Sequence, residues 1–536
     1  MNRINILDCT LRDGGYINDF TFGESVIKNI IQKLSKASID IIECGFLKSG
    51  AFDKDYSLFG SVEAVKEVIG KKNPKILYVA MIQYGAISIE EIADYDGTSI
   101  DGIRVTFHEH EIEPAFILGQ QLMDKGYKVF MQPVGTTTYT DEALLGLIKR
   151  INELRPFAFY MVDTLGIMYK NDLLRMFYLV DHNLNPNIVV GFHSHNNLQL
   201  SFANAQDLMQ FNTNRCIVVD ASVYGMGRGA GNLHTELVTQ YINSNLGLRY
   251  DNTEILSIID EYIKPLSIQY EWGYDAAYYI ASVVGCHPNY ASYLLNRQTL
   301  HVQDIYAILK SLDSEQKALF DKKYIEEIYS EFMNHFVDDF DAIVKIRTFI
   351  GNKKVLLLAP GQSLKYRTED INALISSDDY YVISINFIPK DIKVDMMFIS
   401  NMKRFSGIDV LEKYIDDGIK IVATSNIISR GNSSLVVVNY ASYTNEEEII
   451  SDNAGLMCIN LLNKLDVPKI LLAGFDGFSA NLKKNYFAAN MYLDVESERL
   501  MLMNQAIANK LAQLNKQIKI EFFTNSLYDL DYREDL

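Results

Sequence analysis

At 536 residues the chain exceeds one ordinary domain, and its 48% hydrophobic and 22% charged residues describe a globular protein with a sizeable core. No apolar run reaches the roughly 18 residues of a membrane helix and no basic-then-apolar leader opens the chain, so neither a span nor a secretion signal is expected. A net charge of -18 argues against nucleic acid as the main partner, and five scattered cysteines without a Cys-x-x-Cys pair imply a reduced, cytoplasmic protein, not a disulfide or zinc framework.

Up to about residue 246, short β-branched runs alternate with amphipathic stretches. The strand-like runs are Ile4–Cys9, Ile39–Phe46, Lys75–Ile82, Gly102–Phe107, Lys128–Val134, Ala158–Thr164, Ile188–His195 and Cys216–Val223. Helical patterns such as "SVIKNIIQKLSKA" and "DEALLGLIKRINEL" fill the gaps. Near-continuous apolar strands, eight in number and each followed by a helix, predict a (β/α)8 TIM barrel over residues 1–249. A doubly wound open sheet is the rival reading, and the count of eight disfavours it.

Strand patterns vanish over residues 250–349, where "NTEILSIIDEYIKPL", "DAAYYIASVVG", "NYASYLLNRQ" and "QDIYAILKSL" predict a helical extension. The lone tryptophan, Trp272, is expected to pack against that extension. The charged stretches "SEQKALFDKKYIEE" and "TNEEEII" read as solvated helix faces. A Rossmann-like α/β domain is predicted over residues 350–536. Its strands are "KKVLLLAP", "YYVISINF", "DMMFIS", "KIVATS" and "KILLAGFDGF", with "DNAGLMCINLLNKL" as a helix between them.

Barrels of this kind carry their chemistry at the C-terminal ends of the strands. Reading that rim gives Arg12 and Asp13, Glu43, Gln83, His108, Gln132, Asp163, then His193 and His195, then a glycine-rich loop. In "GFHSHNN" the two histidines are two apart on a strand, so both imidazoles face the same way. With Asp13 they form a candidate facial set of two histidines and one carboxylate. Mn²⁺ or Mg²⁺ suits such a site without redox chemistry, and Zn²⁺, Co²⁺ or Fe²⁺ are the alternatives. The competing readings are a pair of rim histidines with structural hydrogen bonds and a local Arg12–Asp13 ion pair. The loop "YGMGRGAGN", residues 224–232, comes too late for a dinucleotide fingerprint and fits a turn that lets backbone approach a ligand.

The ordered motifs "LDCTLRDGG", "IIECGF", "VDTLG", "HSHNNLQLSFANA" and "GMGRGAGN" resemble the DRE-TIM metallolyase superfamily. That group includes 4-hydroxy-2-oxovalerate aldolase, hydroxymethylglutaryl-CoA lyase and the isopropylmalate and homocitrate synthases. The resemblance covers residues 1 to about 246 and more loosely extends to 310. It implies a divalent metal on Asp13, His193 and His195, with Asn232 from the last loop, gripping the carboxylate and keto oxygen of a 2-oxo acid. It also implies that Arg12 stabilises the enolate oxygen and that Glu43 is the acid of the second strand. A fixed guanidinium beside a dication is a strong preorganised stabiliser of such an oxyanion. Asp163, in "VDTLG", joins the candidate catalytic set.

"HPNYASYLL" resembles the helical region that follows the barrel in the aldolases, which makes Tyr290 the candidate proton donor to the enolate. The aldolases' histidine base is replaced here by Tyr16, so the base is Tyr16, His108 or a water on the metal. Gly227-Arg228-Gly229 lacks the Glu-Arg of the synthases, which favours an aldolase acting on a 2-oxo acid and an aldehyde over a Claisen-type acyl-CoA condensing enzyme. The aldolase resemblance also raises a module that passes its aldehyde to a partner dehydrogenase. A homo-oligomer is expected.

"VLLLAPGQSLK", "ISINF", "MFISN" and "ILLAGFDGF" resemble bacterial sialyltransferases and related Maf-type glycosylation proteins. The resemblance implies a CMP- or UDP-sugar site formed by Gly361, Ser363, Asn386, Asn401 and Asp476, and a role in cell-surface glycan assembly. All nine histidines lie at or before His335, so the histidine base of the sialyltransferases is absent. The alternatives are a glycosyltransferase with the barrel as a metal-binding scaffold, and a C-terminal domain that binds without turnover.

Overall fold

In a computed structural model the described residues are 3–247, 249–297, 299–313, 315–317, 320–406, 417–427, 435–479, 485–486 and 497–529. The chain divides into two compact units, Met1–Ala291 with Lys317–Phe320, and Ser292–Gln316 with Asp321–Leu536.

The first unit is a closed parallel barrel. Its strands are β1 Ile4–Asp8, β2 Ile41–Leu47, β3 Leu77–Gln83, β4 Gly102–Phe107, β5 Lys128–Pro133, β6 Ala158–Asp163, β7 Val189–Ser194 and β8 Ile217–Ala221. Each pairs in parallel with the next, and β8 pairs with β1 to close the ring. The eight expected strands are therefore all present. They read as unbroken apolar runs because both faces are covered. Leu7, Ile41, Val79, Phe130, Ala158, Tyr160, Val189 and Val218 fill the barrel interior. Residues of the opposite parity, such as Ile6, Ile42, Ile103 and Val190, meet the helices outside.

Those helices carry one apolar stripe each. Glu24–Lys36 buries Ile27, Ile30, Ile31 and Leu34. Asp141–Leu154 buries Leu144, Leu147, Ile148 and Ile151, and the Thr140 side chain caps it by accepting the Ala143 N–H. One irregularity matters for the site. The β2–β3 register slips between Glu43 and Phe46, where Gly45 has φ +145° and a Cβ would lie 2.1 Å from the Ser57 carbonyl oxygen. This bulge sits directly after Glu43 and sets the aim of its side chain.

Helices dominate beyond the barrel, from Asn252–Ile258 to Phe340–Ile350. Gln298 of "NYASYLLNRQ" and residues 314 and 318–319 of "SEQKALFDKKYIEE" lie outside the described residues.

In the second unit a parallel sheet runs β13–β12–β11–β10–β9–β14–β15. Its members are β9 Lys354–Leu358, β10 Tyr380–Ile385, β11 Met396–Ile399, β12 Lys420–Thr424, β13 Val436–Val438, β14 Ile470–Ala473 and β15 Ile520–Phe522. The three-residue edge strands β13 and β15 were not anticipated. "TNEEEII" is not a helix face but a turn ending in the single turn Glu448–Ile450. Asn445 and Ile450 anchor it by burial. Among the described residues, no helix is long and apolar enough to cross a membrane.

Candidate metal centre at the barrel rim

Side chains of one parity on a barrel strand point inward, and on four strands of this barrel such positions carry ionisable groups. Arg12 and Asp13 follow β1; Glu43 lies on β2, Arg104 on β4, His193 on β7 and Asp220 on β8. All six are buried. They form a closed ring. Arg12 Nη1 donates to Asp13 Oδ1 at 2.8 Å, and its Nε donates to Glu43 Oε2 at 2.8 Å. Arg104 Nη1 lies 2.9 Å from the same Glu43 oxygen, while its Nη2 donates to Asp220 Oδ2. The His193 Nδ1–H donates to Asp220 Oδ2 at 3.0 Å, which leaves Nε2 3.7 Å from Asp13 Oδ2.

His195 adds its Nε2 4.0 Å from that Asp13 oxygen. One ligand atom each from Asp13, His193 and His195 lies within 4.8 Å of the other two. Asn232, from the glycine-rich loop, donates its Nδ2–H to Asp13 Oδ2 at 2.6 Å.

The electrostatics favour ligation. Burial pushes the Asp13 carboxyl up, but the charges around it, that of Arg12 above all, outweigh burial and hold Asp13 well below the usual carboxylate range. Burial lowers His195 to about 3, against the pull of Asp13, so its imidazole is neutral and its lone pair available. The Asp220 hydrogen bond fixes the His193 tautomer with Nε2 toward Asp13, the usual outer-shell arrangement for a histidine ligand.

A divalent cation fits this donor set on two grounds. Three buried carboxylates (Asp13, Glu43, Asp220) face two buried guanidiniums (Arg12, Arg104), leaving negative charge uncompensated. Asn232 Oδ1, Glu43 Oε1 and Arg12 Nη2 are also buried without a hydrogen-bond partner, the condition expected of groups that face a ligand.

The other expected residues are placed as follows. Tyr16 stands on the single turn Gly14–Ile17 directly after Asp13, edge-on to Phe20 and Phe46, with the Arg228 guanidinium 4.0 Å above its ring. Asp163, at the end of β6, accepts the backbone N–H groups of Ile167 and Met168 at 3.0 Å each. Burial raises its carboxyl to about 6 against those bonds. It holds the turn beside the site. Gln132 is buried on β5 with Oε1 unpartnered, whereas Gln83 is exposed at the end of β3. His108 starts the turn Glu109–Glu111, stacks on His110 at 5.7 Å and takes no part in the hydrogen bonds of the ring. Tyr290 is fully buried and edge-on to Phe320 at 5.1 Å.

Trp272 does not simply pack on the helices. It lies edge-on to Tyr224 and donates Nε1–H to the Tyr224 carbonyl at 3.2 Å, bracing the glycine-rich loop. Arg104 and Asp220 were missed in the sequence. A lone arginine in "GIRVTF" and a lone aspartate in "IVVDA" were the available cues.

In the second unit a cavity of about 220 Å³ is lined by Gly361, Asn386, Asn401, Arg404 and Asp476 among others. It opens at the C-terminal ends of β9 and β14, where the chain order of the sheet reverses, the usual ligand crevice of such sheets. Ser363 reaches it through Asp476, giving its N–H to Oδ2 at 2.8 Å and its hydroxyl to Oδ1. A Cβ on Gly361 would lie 2.3 Å from the Gly474 carbonyl oxygen, so only glycine passes there. Asn386 has φ +59° and accepts the Ser400 N–H at 3.2 Å. Asn401 accepts the Arg404 N–H at 3.0 Å.

Comparison with known proteins agrees with the sequence motifs of the first unit. Residues 3–260 match the HMGL-like family. An oxaloacetate decarboxylase of Mycobacterium tuberculosis is 27% identical over 239 residues, 43% of this chain and 67% of the relative. A 4-hydroxy-2-oxovalerate aldolase of Geobacillus genomosp. 3 is 25% identical over 272 residues, 49% of this chain and 77% of the relative. Among solved structures, the N-terminal domain of a protein described as an aldolase from Bacteroides vulgatus is 26% identical, covering 55% of this chain and 96% of that one at a TM-score of 0.48.

Proposed function

We propose that the N-terminal unit is a metal-dependent carbon–carbon lyase that cleaves a 2-oxo acid to pyruvate, or runs the reverse condensation. The observation that carries this reading is the convergence of Asp13, His193 and His195 beside the buried Arg12. The names of the relatives point the same way, since oxaloacetate decarboxylation and 4-hydroxy-2-oxovalerate aldol cleavage both break a bond next to a pyruvate unit.

When bound, the divalent cation supplies Lewis acidity to the carboxylate and keto oxygens of the substrate. The chain's own residues do the rest. Glu43 and Asp13 clamp the Arg12 guanidinium, which leaves Nη2 as the unengaged donor for the oxygen that gains charge as the bond breaks. In aldol cleavage the C4 hydroxyl proton leaves to a base, the C3–C4 pair moves toward the keto carbon, and a proton is delivered to C3. Tyr16, three residues after Asp13, is the base we favour over His108, which lies outside the ring of hydrogen bonds. Tyr290 is retained as the proposed donor to C3. Asp220 and Arg104 keep His193 and Glu43 aimed.

Pyruvate release, followed with lactate dehydrogenase, tests the reading. Oxaloacetate and 4-hydroxy-2-oxo acids should be turned over with Mn²⁺ or Mg²⁺ and not with EDTA, and Arg12→Ala should lower kcat by about a thousandfold. No pyruvate from any of these substrates, with either metal, would contradict it.

A second reading, which rests on the sequence resemblance, is that the C-terminal unit binds a CMP- or UDP-sugar in its cavity at the sheet crossover. On this reading the chain is a two-part enzyme of cell-surface glycan assembly. Thermal-shift screening should give stabilisation by a CMP- or UDP-sugar that is lost in Asp476→Ala; no shift with either class would remove this role.

A further inference from the structure

Arginines that hold this fold together engage their N–H donors. Arg215 gives hydrogen bonds to Asp181 and to the carbonyls of Asp181, Leu184, Asn185 and Ile188. Arg12 and Arg104 are paired with the ring carboxylates. Arg228 does none of this. It is half-buried, and among the described residues no carboxylate lies within ion-pair reach and no hydrogen bond uses its side chain.

It is nevertheless held in place. The loop that carries it has a single shape: the Gly231 N–H bonds the Arg228 carbonyl at 3.0 Å, and the Asn232 N–H bonds the Gly225 carbonyl at 3.0 Å. The Ala230 N–H bonds Asn197 Oδ1 at 2.9 Å. Gly231 has φ +79° and a Cβ there would lie 2.1 Å from the Gly225 oxygen. The guanidinium itself stacks 4.0 Å over the Tyr16 ring. Stacking fixes the plane of a guanidinium and leaves all its edge donors available.

Two covalent tethers place it at the metal centre. Tyr16 is three residues beyond Asp13, and Asn232, four residues beyond Arg228, bonds Asp13 directly at 2.6 Å.

We propose that Arg228 is the anchor for a second carboxylate on the substrate, so that this site takes dicarboxylic 2-oxo acids whose C4 side ends in an acid. The inference rests on the lyase reading and adds the substrate class to it. A planar fork with free donors matches a carboxylate in two parallel hydrogen bonds. A phosphate would bring nearly two negative charges against one unengaged cation beside Asp13 and Glu43, and so fits less well. The aldehyde released by cleavage would then itself be an acid.

Calorimetric titration of the Mn²⁺-loaded full chain with two unreactive ligands tests this. 2-Oxoglutarate and 2-oxopentanoate share the keto acid end and chain length and differ in the terminal carboxylate. The dicarboxylate should bind at least about tenfold more tightly in the wild type. That ratio should fall to within about twofold in Arg228→Gln and recover in part in Arg228→Lys, with melting curves reporting that each variant is folded. Equal affinities in the wild type, or a preference that survives Arg228→Gln, would overturn the assignment. So would equal weakening of both ligands, which would place Arg228 on the shared C1 carboxylate. Failure of both ligands to bind the wild type would remove the lyase reading, and this inference with it.

Discussion

The fine adjustment of the rim lies in how each ligand is aimed. His193 is turned by Asp220, Asp220 is held by Arg104, and Arg104 also meets Glu43, which positions Arg12. His193 and Arg12 are therefore tied to each other through one buried guanidinium, that of Arg104. Asp220→Asn should keep the shape and lose the charge that fixes the His193 tautomer, weakening Mn²⁺ binding by about 10- to 100-fold in a calorimetric titration. Unchanged affinity would show that Asp220 serves only the barrel core. The cluster of Asp13, His193 and His195 was legible in the sequence, because two histidines at strand spacing and an acid at the end of the first strand have few other shared purposes. Arg104 and Asp220 were not. On strands buried on both faces the usual alternation disappears, so a single charged residue gives no hint of which way it points.

Elements are joined by buried polar contacts as well as by apolar stripes, and Asp8 is the clearest case. It ends β1 on the outward parity, accepting the Thr235 hydroxyl at 2.6 Å from helix Thr235–Asn245 and the Thr10 N–H at 3.0 Å. Burial raises its pKa from 3.8 to about 6 against those hydrogen bonds. A carboxyl that holds its proton more tightly folded than unfolded contributes stability fully below about pH 3.8, and loses that contribution as pH rises through 6. The difference is about 3 kcal/mol by the standard conversion. Wild type should therefore lose stability relative to Asp8→Asn between pH 4 and 7, read as diverging melting temperatures; parallel curves would contradict the shift. The long strands were legible as elements, being β-branched runs bounded by turns. Edge strands Val436–Val438 and Ile520–Phe522 were too short to stand out. "TNEEEII" misled because its charges suggested a helix face, while buried Asn445 and Ile450 pin it as a turn. Asp163 could be located but not interpreted, since its bonds are to backbone N–H groups that no sequence pattern displays.

For the molecule as a whole, the pattern of strands and helices fixed the barrel, and the return of strands after residue 350 marked a second sheet. What the pattern could not convey is chemistry that depends on several strands meeting. Asn232 was expected as a ligand and stands beside Asp13 with its oxygen unpartnered; Tyr16, the proposed base, also carries the Arg228 guanidinium over its ring. The second unit shows the converse, a cavity gathering Gly361, Asn386, Asn401 and Asp476 without, among the described residues, one that declares a reaction. Everything proposed for the first unit depends on one cation at Asp13, His193 and His195. The direct measurement is metal content after equilibrium dialysis against Mn²⁺, wild type beside His193→Ala. The account predicts close to one ion per chain in the wild type and less than about a tenth of that in the variant; a wild type that retains none, or a variant that retains as much, would contradict it.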